Sequence, residues 1–317
     1  MSRTRRIEVS EGSPEGTNSA YVLPDRGVLI DPGPPADGAW DRLVSGIGEA
    51  GLELADVSSV LVTHWHADHA GLAPRLCEAS GATLYMHEDD APFVADYATA
   101  RANRVRRDAR RLTEWGVPEE TVDAVVEGDR PSPMPEEYPV EALTDGDAVA
   151  GVETVHTPGH TLGHAAFVAN GEEGSGDSLF VGDAVLPTYT PNVDGSDTRV
   201  DDALQTYRET LIRLREHAKT SNLPETAYPG HGSLLSLVSR IDEILSHHET
   251  RTERMYDCVE EHGPLTPWQV ATHLFGEMQG IHVKMGAGEA AAHLSTLAST
   301  GRIERMGEER VVYAVES

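Results

Sequence analysis

Apolar positions along this chain switch repeatedly between a period of two and a period near 3.6. In SAYVLPDRGVLI, residues 19–30, two short apolar runs flank a Pro-Asp-Arg-Gly turn and predict a pair of strands, closed by the breaker DPGPP at 31–35. Trp40, Leu43, Val44 and Ile47 then recur at helical spacing, 57–62 is a β-branched run, 72–79 is helical again, and 82–86 reads as a further short strand. Such alternation predicts a layered α/β domain. Over 96–127 helix formers dominate and strand signals are lacking, so one or two helices are expected before the proline-rich PSPMPEEYP at 131–139. Strand-like segments return at 149–155, 165–169 and 179–181, and a helix is expected over about 202–217. The stretch NGEEGSGD at 170–177 reads as a solvated hairpin loop.

Beyond Ile244 the character changes. HHETRTERMYD is helical, Thr266-Pro267 marks a helix start, 287–300 is helical, and Gly301 opens a hairpin over 303–315. Helix, helix, helix, hairpin is the order of a winged helix. The expected organisation is a large α/β domain at 1–245, with a helical insertion at about 96–140, followed by a small winged-helix-like domain at 246–317. A chain of 317 residues can bury a core of that size.

Composition adds a global constraint. Against 53 acidic residues stand 25 basic ones, a formal net charge of −28, and Lys219 and Lys284 are the only lysines. Self-repulsion of that size opposes compactness in dilute buffer and is screened in strong salt, which predicts a halophilic protein of a salt-rich cytoplasm, an acidic mesophilic protein being the competing reading. No apolar run approaches the roughly 18 residues of a membrane span, and the N-terminus lacks the apolar region of a signal peptide, so a cytoplasmic protein without a membrane partner is expected. Only Cys77 and Cys258 are present. A disulfide framework or a thiolate metal cage is therefore not expected, so any metal is expected to sit on His and carboxylate, and Cys77 reads as a small core residue.

The chemistry-bearing stretch is LVTHWHADHAG at 61–71, which sets His64, His66, Asp68 and His69 directly after a strand-like run. Imidazoles and carboxylates at a strand end demand partners for nearly every polar atom. An H-x-H pair at the end of a strand sends two ring nitrogens to one side, which suits a divalent metal, and the Asp-His that follows could face a second ion. Matching donors follow other strand-like runs, in HTPGHTLGH at 156–164, FVGDAV at 180–185 and YPGHG at 228–232.

Taken in order, HWHADH, TPGHTLGH, VGDAV and YPGHG resemble the motif series of the metallo-β-lactamase-fold hydrolases over roughly residues 7–245, with glyoxalase II-like motifs. The segment from HHETR onward resembles the winged-helix tail of the β-lactamase-like-protein-2 subgroup. The resemblance implies an αββα sandwich with the site at one sheet edge. It also implies that His64, His66 and His160 hold one metal, that Asp68, His69 and His231 hold a second, and that Asp183 touches both. Six N/O ligands and a shared carboxylate suit two ions about 3.5–4 Å apart with a hydroxide between them. Zinc fits the richness in imidazole, with iron or manganese as alternatives. His156 and His164, flanking His160, are expected to support ligands rather than to be ligands, and His87, His217, His247 and His248 to lie on the surface.

Ala67 stands where diiron oxygen reductases of this fold carry a glutamate, and Asp183 where familiar true β-lactamases carry a cysteine. Hydrolysis at a dinuclear centre is the expectation that remains, and the resemblance implies that Asp68 takes a proton as the intermediate collapses. A small-molecule thioester or ester of the hydroxyacyl-thiol type is the expected substrate; a single-stranded RNA endonuclease is the alternative. In RANRVRRDARR at 101–111, Arg104, Arg107 and Arg111 share a helix face and are candidates for binding an anionic substrate, as is Tyr189; a surface helix with paired arginines is the competing reading. Sequence-specific DNA binding is not expected: GAGEAAAHLSTLAST at 286–300 has no Lys or Arg, and 250–317 holds 10 acidic against 6 basic residues. Leu294 and Leu297 are expected to pack on the catalytic domain or on a second subunit of a homodimer.

Overall fold

The computed structural model describes residues 4–10, 16–171, 177–220, 226–307 and 309–315. Positions 172–176 of the expected hairpin loop lie outside them. The strand pair around Pro-Asp-Arg-Gly forms as β2 (Ser19–Leu23) and β3 (Val28–Ile30), with β1 (Arg5–Glu8) beside β2. Helix α1 (Asp37–Glu49) buries Ala39, Leu43 and Ile47. Then follow β4 (Ser59–Val62), the short α2 (Ala67–Ala70), α3 (Ala73–Ser80), β5 (Thr83–His87), the short α4 (Pro92–Ala95), α5 (Tyr97–Glu114) and α6 (Glu119–Gly128). Strands β6 (Glu141–Leu143), β7 (Ala148–Val149), β8 (Val152–His156), β9 (Ala165–Ala169) and β10 (Ser178–Gly182) lead to α7 (Ala203–Thr220), β11 (Thr226–Pro229) and β12 (Leu235–Ser236). The chain closes with α8 (Leu237–His262), α9 (Pro267–Phe275), α10 (Ile281–Ser299), β13 (Glu304–Met306) and β14 (Val312–Ala314).

Two compact units result. The first comprises 1–100, 131–191 and 211–241, and the second 101–130, 192–210 and 242–317. Helix α8 runs unbroken through position 245.

The first unit holds two six-stranded sheets, ordered β1-β2-β3-β4-β5-β6 and β12-β11-β10-β9-β8-β7. Strands β2, β3 and β9 are buried at every position, the mark of strands covered on both faces. Between the sheets lie Tyr21, Leu23, Ile30, Leu61, Phe167 and Phe180. A second core of Leu43, Ile47, Val60, Val62, Leu76 and Cys77 joins α1 and α3 to the first sheet. Helix-sheet-sheet-helix layering is thus explained by two apolar faces per sheet. Tyr21 carries a further duty, because its hydroxyl donates to the Pro229 carbonyl at 2.6 Å and so ties β2 to the end of β11. Burial pushes its phenol pKa up.

Parallel pairing decides where the site is. Strands β3, β4 and β5 run parallel, as do β10 and β11. Their carboxyl ends therefore emerge on common edges, delivering Asp31, Thr63-His64, His87, Asp183 and His231 from five separate strands.

In the second unit, Thr266 caps α9 through a reciprocal box with Gln269. Helix α10 is buried over most of its length, which no amphipathic stripe would have signalled. Leu294 and Leu297 do not reach out to another domain or subunit: they are buried in this unit's own core with Met255, Val259, Val270 and Tyr313. Leu112, Trp115 and Val122 of the arginine-rich hairpin region pack with Val283, Ala287 and Ala291 of α10.

Candidate metal centre

Each expected ligand occupies a strand end or the turn that follows it, and the set converges. His66 Nδ1 lies 3.0 Å from His64 Nε2 and 3.1 Å from His160 Nε2. His69 Nε2 and His231 Nε2 are 3.1 Å apart. The Asp68 Oδ2 atom is 3.5 Å from the former and 3.3 Å from the latter. Between the two groups sits Asp183, whose Oδ2 is 3.3 Å from His231 Nε2, 3.5 Å from His69 Nε2 and 3.9 Å from His160 Nε2.

Two glycines permit this crowding. Gly182 adopts φ +48, and a Cβ there would meet His164 Nε2 at 2.8 Å; a Cβ on Gly230 would meet Asp183 Oδ1 at 2.3 Å. Thus VGD and PGH bring backbone, not side chain, against the ligands.

Buried hydrogen bonds set which ring nitrogen faces inward. Thr63 Oγ1 donates to Asp31 Oδ2 at 2.7 Å and so accepts from His64 Nδ1 at 3.0 Å, leaving His64 Nε2 as the inward lone pair. His69 Nδ1 donates to the same Asp31 oxygen at 3.1 Å. His164 uses both nitrogens elsewhere, since Nε2 accepts the Asp183 backbone N–H at 3.1 Å and Nδ1 donates to Thr157 Oγ1 at 2.7 Å. It holds Asp183 in place. His156 is half-buried, donates from Nε2 to the Leu162 carbonyl at 2.9 Å, and stacks on His87 with ring centroids 4.0 Å apart.

Three contributors escaped the sequence reading. Asp31, buried and at φ +52, orients His69 and Thr63. Asn18 donates from Nδ2 to Asp68 Oδ2 at 3.0 Å. Asp90, fully buried, accepts from Thr161 Oγ1, Gly163 N–H and Trp65 N–H, and so joins the HWHADH turn to the loop bearing His160. Only Asp31 had a local sign, its place in the DPG breaker; the other two act at separations of 50 and about 70 residues. Two histidines expected on the surface are instead buried, His87 in the first unit and His248 in the second, because each packs against another ring.

Electrostatics divides the centre into halves. Burial, with repulsion from His69 and His66, holds His64 well below the ordinary imidazole range, and burial with His160 lowers His66 to about 3. In the other half burial is outweighed: Asp183 and Asp68 hold His69 well above its usual value, and Asp183 raises His231 to about 10. Burial favours the neutral acid at Asp183 and Asp68, yet His231 and His69 keep both as carboxylates.

The donor set fits divalent cations. Zinc–nitrogen bonds of about 2.0–2.1 Å in tetrahedral geometry put ligand atoms about 3.3 Å apart, close to the separations here. Among the described residues Asp183 Oδ1 and His231 Nδ1 are buried without a hydrogen-bond partner, although polar atoms so placed are ordinarily satisfied. Trios His64/His66/His160, His64/His69/Asp183 and Asp68/His69/His231 each bring one donor atom per residue within 4.8 Å.

Residues 12–231 match the family model of the metallo-β-lactamase superfamily. The chain belongs to the metallo-β-lactamase superfamily. It is accordingly a hydrolase built on a fold that binds divalent metals. This superfamily member is 26% identical over 302 residues to the Bacillus subtilis protein named Probable metallo-hydrolase YqjP, covering 92% of this chain and 91% of that one. The crystal structure of a metallo-beta-lactamase family protein from Thermus thermophilus superposes with a TM-score of 0.77 at 29% identity, over 99% of this chain and 98% of that chain. Similarity also extends to the protein named Atrochrysone carboxyl ACP thioesterase of Aspergillus fumigatus, 26% identical over 261 residues; the match takes in 81% of this chain and 48% of that protein's length.

The candidate substrate residues are not equivalent. Arg104 is nearly buried and spends its guanidinium on Asp108 at 3.1 Å and Asp129 at 2.7 Å. Arg111 is partly exposed and lies 3.4 Å from Glu114, and Arg107 is half-buried. These belong to the second unit. Tyr189, in the first, is 47% exposed, on the loop that follows Asp183, and its carbonyl accepts from Arg240 at 3.0 Å.

Proposed function

We propose that this metallo-β-lactamase superfamily member hydrolyses a small-molecule thioester or ester at a dinuclear centre. His64, His66 and His160 would hold one ion, Asp68, His69 and His231 the other, and Asp183 would serve both. The observation that carries the reading is the position of Asp183 Oδ2, within 3.9 Å of donor nitrogens from both halves. Two bound cations would supply Lewis acidity and bring a water's pKa toward neutrality. Zinc is the cation best matched to five imidazoles.

The chain's own groups do the rest. Asp31 fixes the His69 tautomer, His164 fixes the Asp183 backbone, and Asn18 orients the Asp68 carboxylate. Asp68 is the open member of the set, its side chain 44% exposed against 1% for His69 and 8% for Asp183. It is the group able to pass a proton between the centre and solvent. Thioesters are favoured over other substrates by the likeness to a protein named for thioesterase activity.

The test is the metal-loaded full chain in molar salt, assayed against a panel of acyl thioesters and a single-stranded RNA oligomer. Thiol release is expected, lost in Asp183→Ala with the fold intact. An Asp183→Ala enzyme that keeps most of its turnover with two bound ions overturns the dinuclear assignment. Cleavage of the RNA with every thioester left intact overturns the substrate class.

A further inference from the structure

The second unit contains a donor cluster that the hydrolytic centre does not use. Cys258 and His262 stand four residues apart on α8 and so share a helix face. His273, in the last turn of α9, meets them, and one donor atom from each of the three lies within 4.8 Å of the other two. The His262 and His273 rings lie face to face, their centroids 4.4 Å apart and their planes 7° from parallel. Depth differs usefully across the cluster. Cys258 is 6% exposed, at the margin of the core formed by Met255, Val259 and Leu265, while both imidazoles are exposed. A ligand could therefore arrive from solvent through the rings and end on sulfur. Burial, with Glu261 adding to it, pushes the Cys258 thiol up, so the free side chain is an inert S–H.

A thiol and two imidazoles from two helices form a recognised donor set for one class of ligand. We propose that Cys258, His262 and His273 bind a single borderline-soft divalent cation, with Zn²⁺ the best match and a fourth position open to water. Binding replaces the S–H bond with a sulfur–metal bond and releases one proton to solvent, so cation charge is partly neutralised by thiolate. The donors need to approach from up to 4.8 Å to the ~3.3–3.6 Å of a tetrahedral N/S set. Rotation of the two exposed rings supplies that movement without disturbing the core. Glu261 Oε2, 3.9 Å from His262 Nε2, is placed to orient that ring. The consequence is a cross-link between α8 and α9, two helices otherwise joined by a four-residue turn and by apolar packing.

Sulfur makes the proposal separable from the hydrolytic site, whose donors are all nitrogen and oxygen. Of the two cysteines, Cys77 lies in the first unit's core. Titrating the full chain with Co²⁺ should therefore give a near-ultraviolet sulfur-to-cobalt charge-transfer band from Cys258 alone. The band is expected in the wild type and in Asp183→Ala, absent in Cys258→Ser, and shifted to at least ~100-fold higher Co²⁺ concentration in His273→Ala, beyond the loss typical of an outer partner. Because His273 is exposed, that variant should fold even if Cys258→Ser does not, and Zn²⁺ should raise the melting temperature of the wild type more than that of His273→Ala. No sulfur band at cobalt concentrations that saturate the visible spectrum, or a band that survives in Cys258→Ser, overturns the proposal.

Discussion

At the scale of single residues, Asp31 shows how a group outside the expected ligand set can govern the centre. One oxygen of this buried carboxylate receives both Thr63 Oγ1 and His69 Nδ1, and the other receives the Thr63 N–H at 2.8 Å. Asp31→Asn should therefore weaken metal retention and turnover by about 10–100-fold while leaving the cation count per chain recoverable at high metal concentration. Unaltered retention on dialysis against a chelator would refute that role. His164→Ala should cost less than His160→Ala, because His164 supports the Asp183 backbone whereas His160 faces His66 and Asp183 directly. Single-turnover rates with measured metal content distinguish the two; equal losses would contradict the distinction.

Among elements, the arginine-rich helix α5 sets its arginines in unlike surroundings, Arg110 exposed and Arg104 nearly buried among carboxylates. Asp108 is 5% exposed and gathers Arg104, Lys284 at 2.6 Å and Thr198 Oγ1 at 2.7 Å, so a strip of unlike charge is sealed within the second unit. Asp108→Ala would take from buried Lys284 the carboxylate it holds at 2.6 Å, leaving Arg104 its pairing with Asp129, and should cost about 3–5 kcal/mol, seen as a lower denaturation midpoint. Arg104→Ala should likewise lower the midpoint and leave KM for a neutral ester unchanged; a raised KM for anionic substrates at unchanged stability would restore a substrate role. Acid should weaken the same unit through α8. His248 is fully buried and its Nε2 has no hydrogen-bond partner among the described residues; burial lowers its pKa to about 3, with His293 adding to the effect and Glu289 opposing it. The unfolded chain binds that proton near pH 6.5, so stability is complete above that pH and is lost as pH falls toward 3. Between pH 6.5 and 5 the loss should be on the order of 2 kcal/mol. His248→Leu should flatten that part of the profile; an identical slope would place the acid sensitivity elsewhere.

For the whole molecule, charge is the dominant long-range term. A net charge of −28 repels itself over a Debye length of about 10 Å at 0.1 M salt and about 3 Å at 1 M. Melting temperature should therefore climb steadily from dilute buffer to molar potassium chloride, and a salt-independent value would contradict the expectation of a halophilic protein. Among the described residues no helix is long and apolar enough to cross a membrane.

Short-range information was legible in the order of residues: strand pairs, helix caps and ligand motifs are each written within ten or so positions, where periodicity and turn chemistry act directly. The α/β layering and the Thr266 cap follow from such local signals, whereas the convergence of HWHADH, TPGH, GD and PGH was expected from the resemblance of the motif series and not from any local pattern. What only the tertiary structure decided is everything that depends on neighbours far apart in the chain. Asn18 meets Asp68, and Asp90 binds the loop of His160, because parallel strands end on common edges. Leu294 turned inward and Lys284 became buried because α10 is surrounded on most sides, and a helix enclosed in that way carries no stripe by which its surroundings can be read. Arg104 looks like a free guanidinium in sequence; folding brings it Asp129, 25 residues away, and burial makes that pairing obligatory.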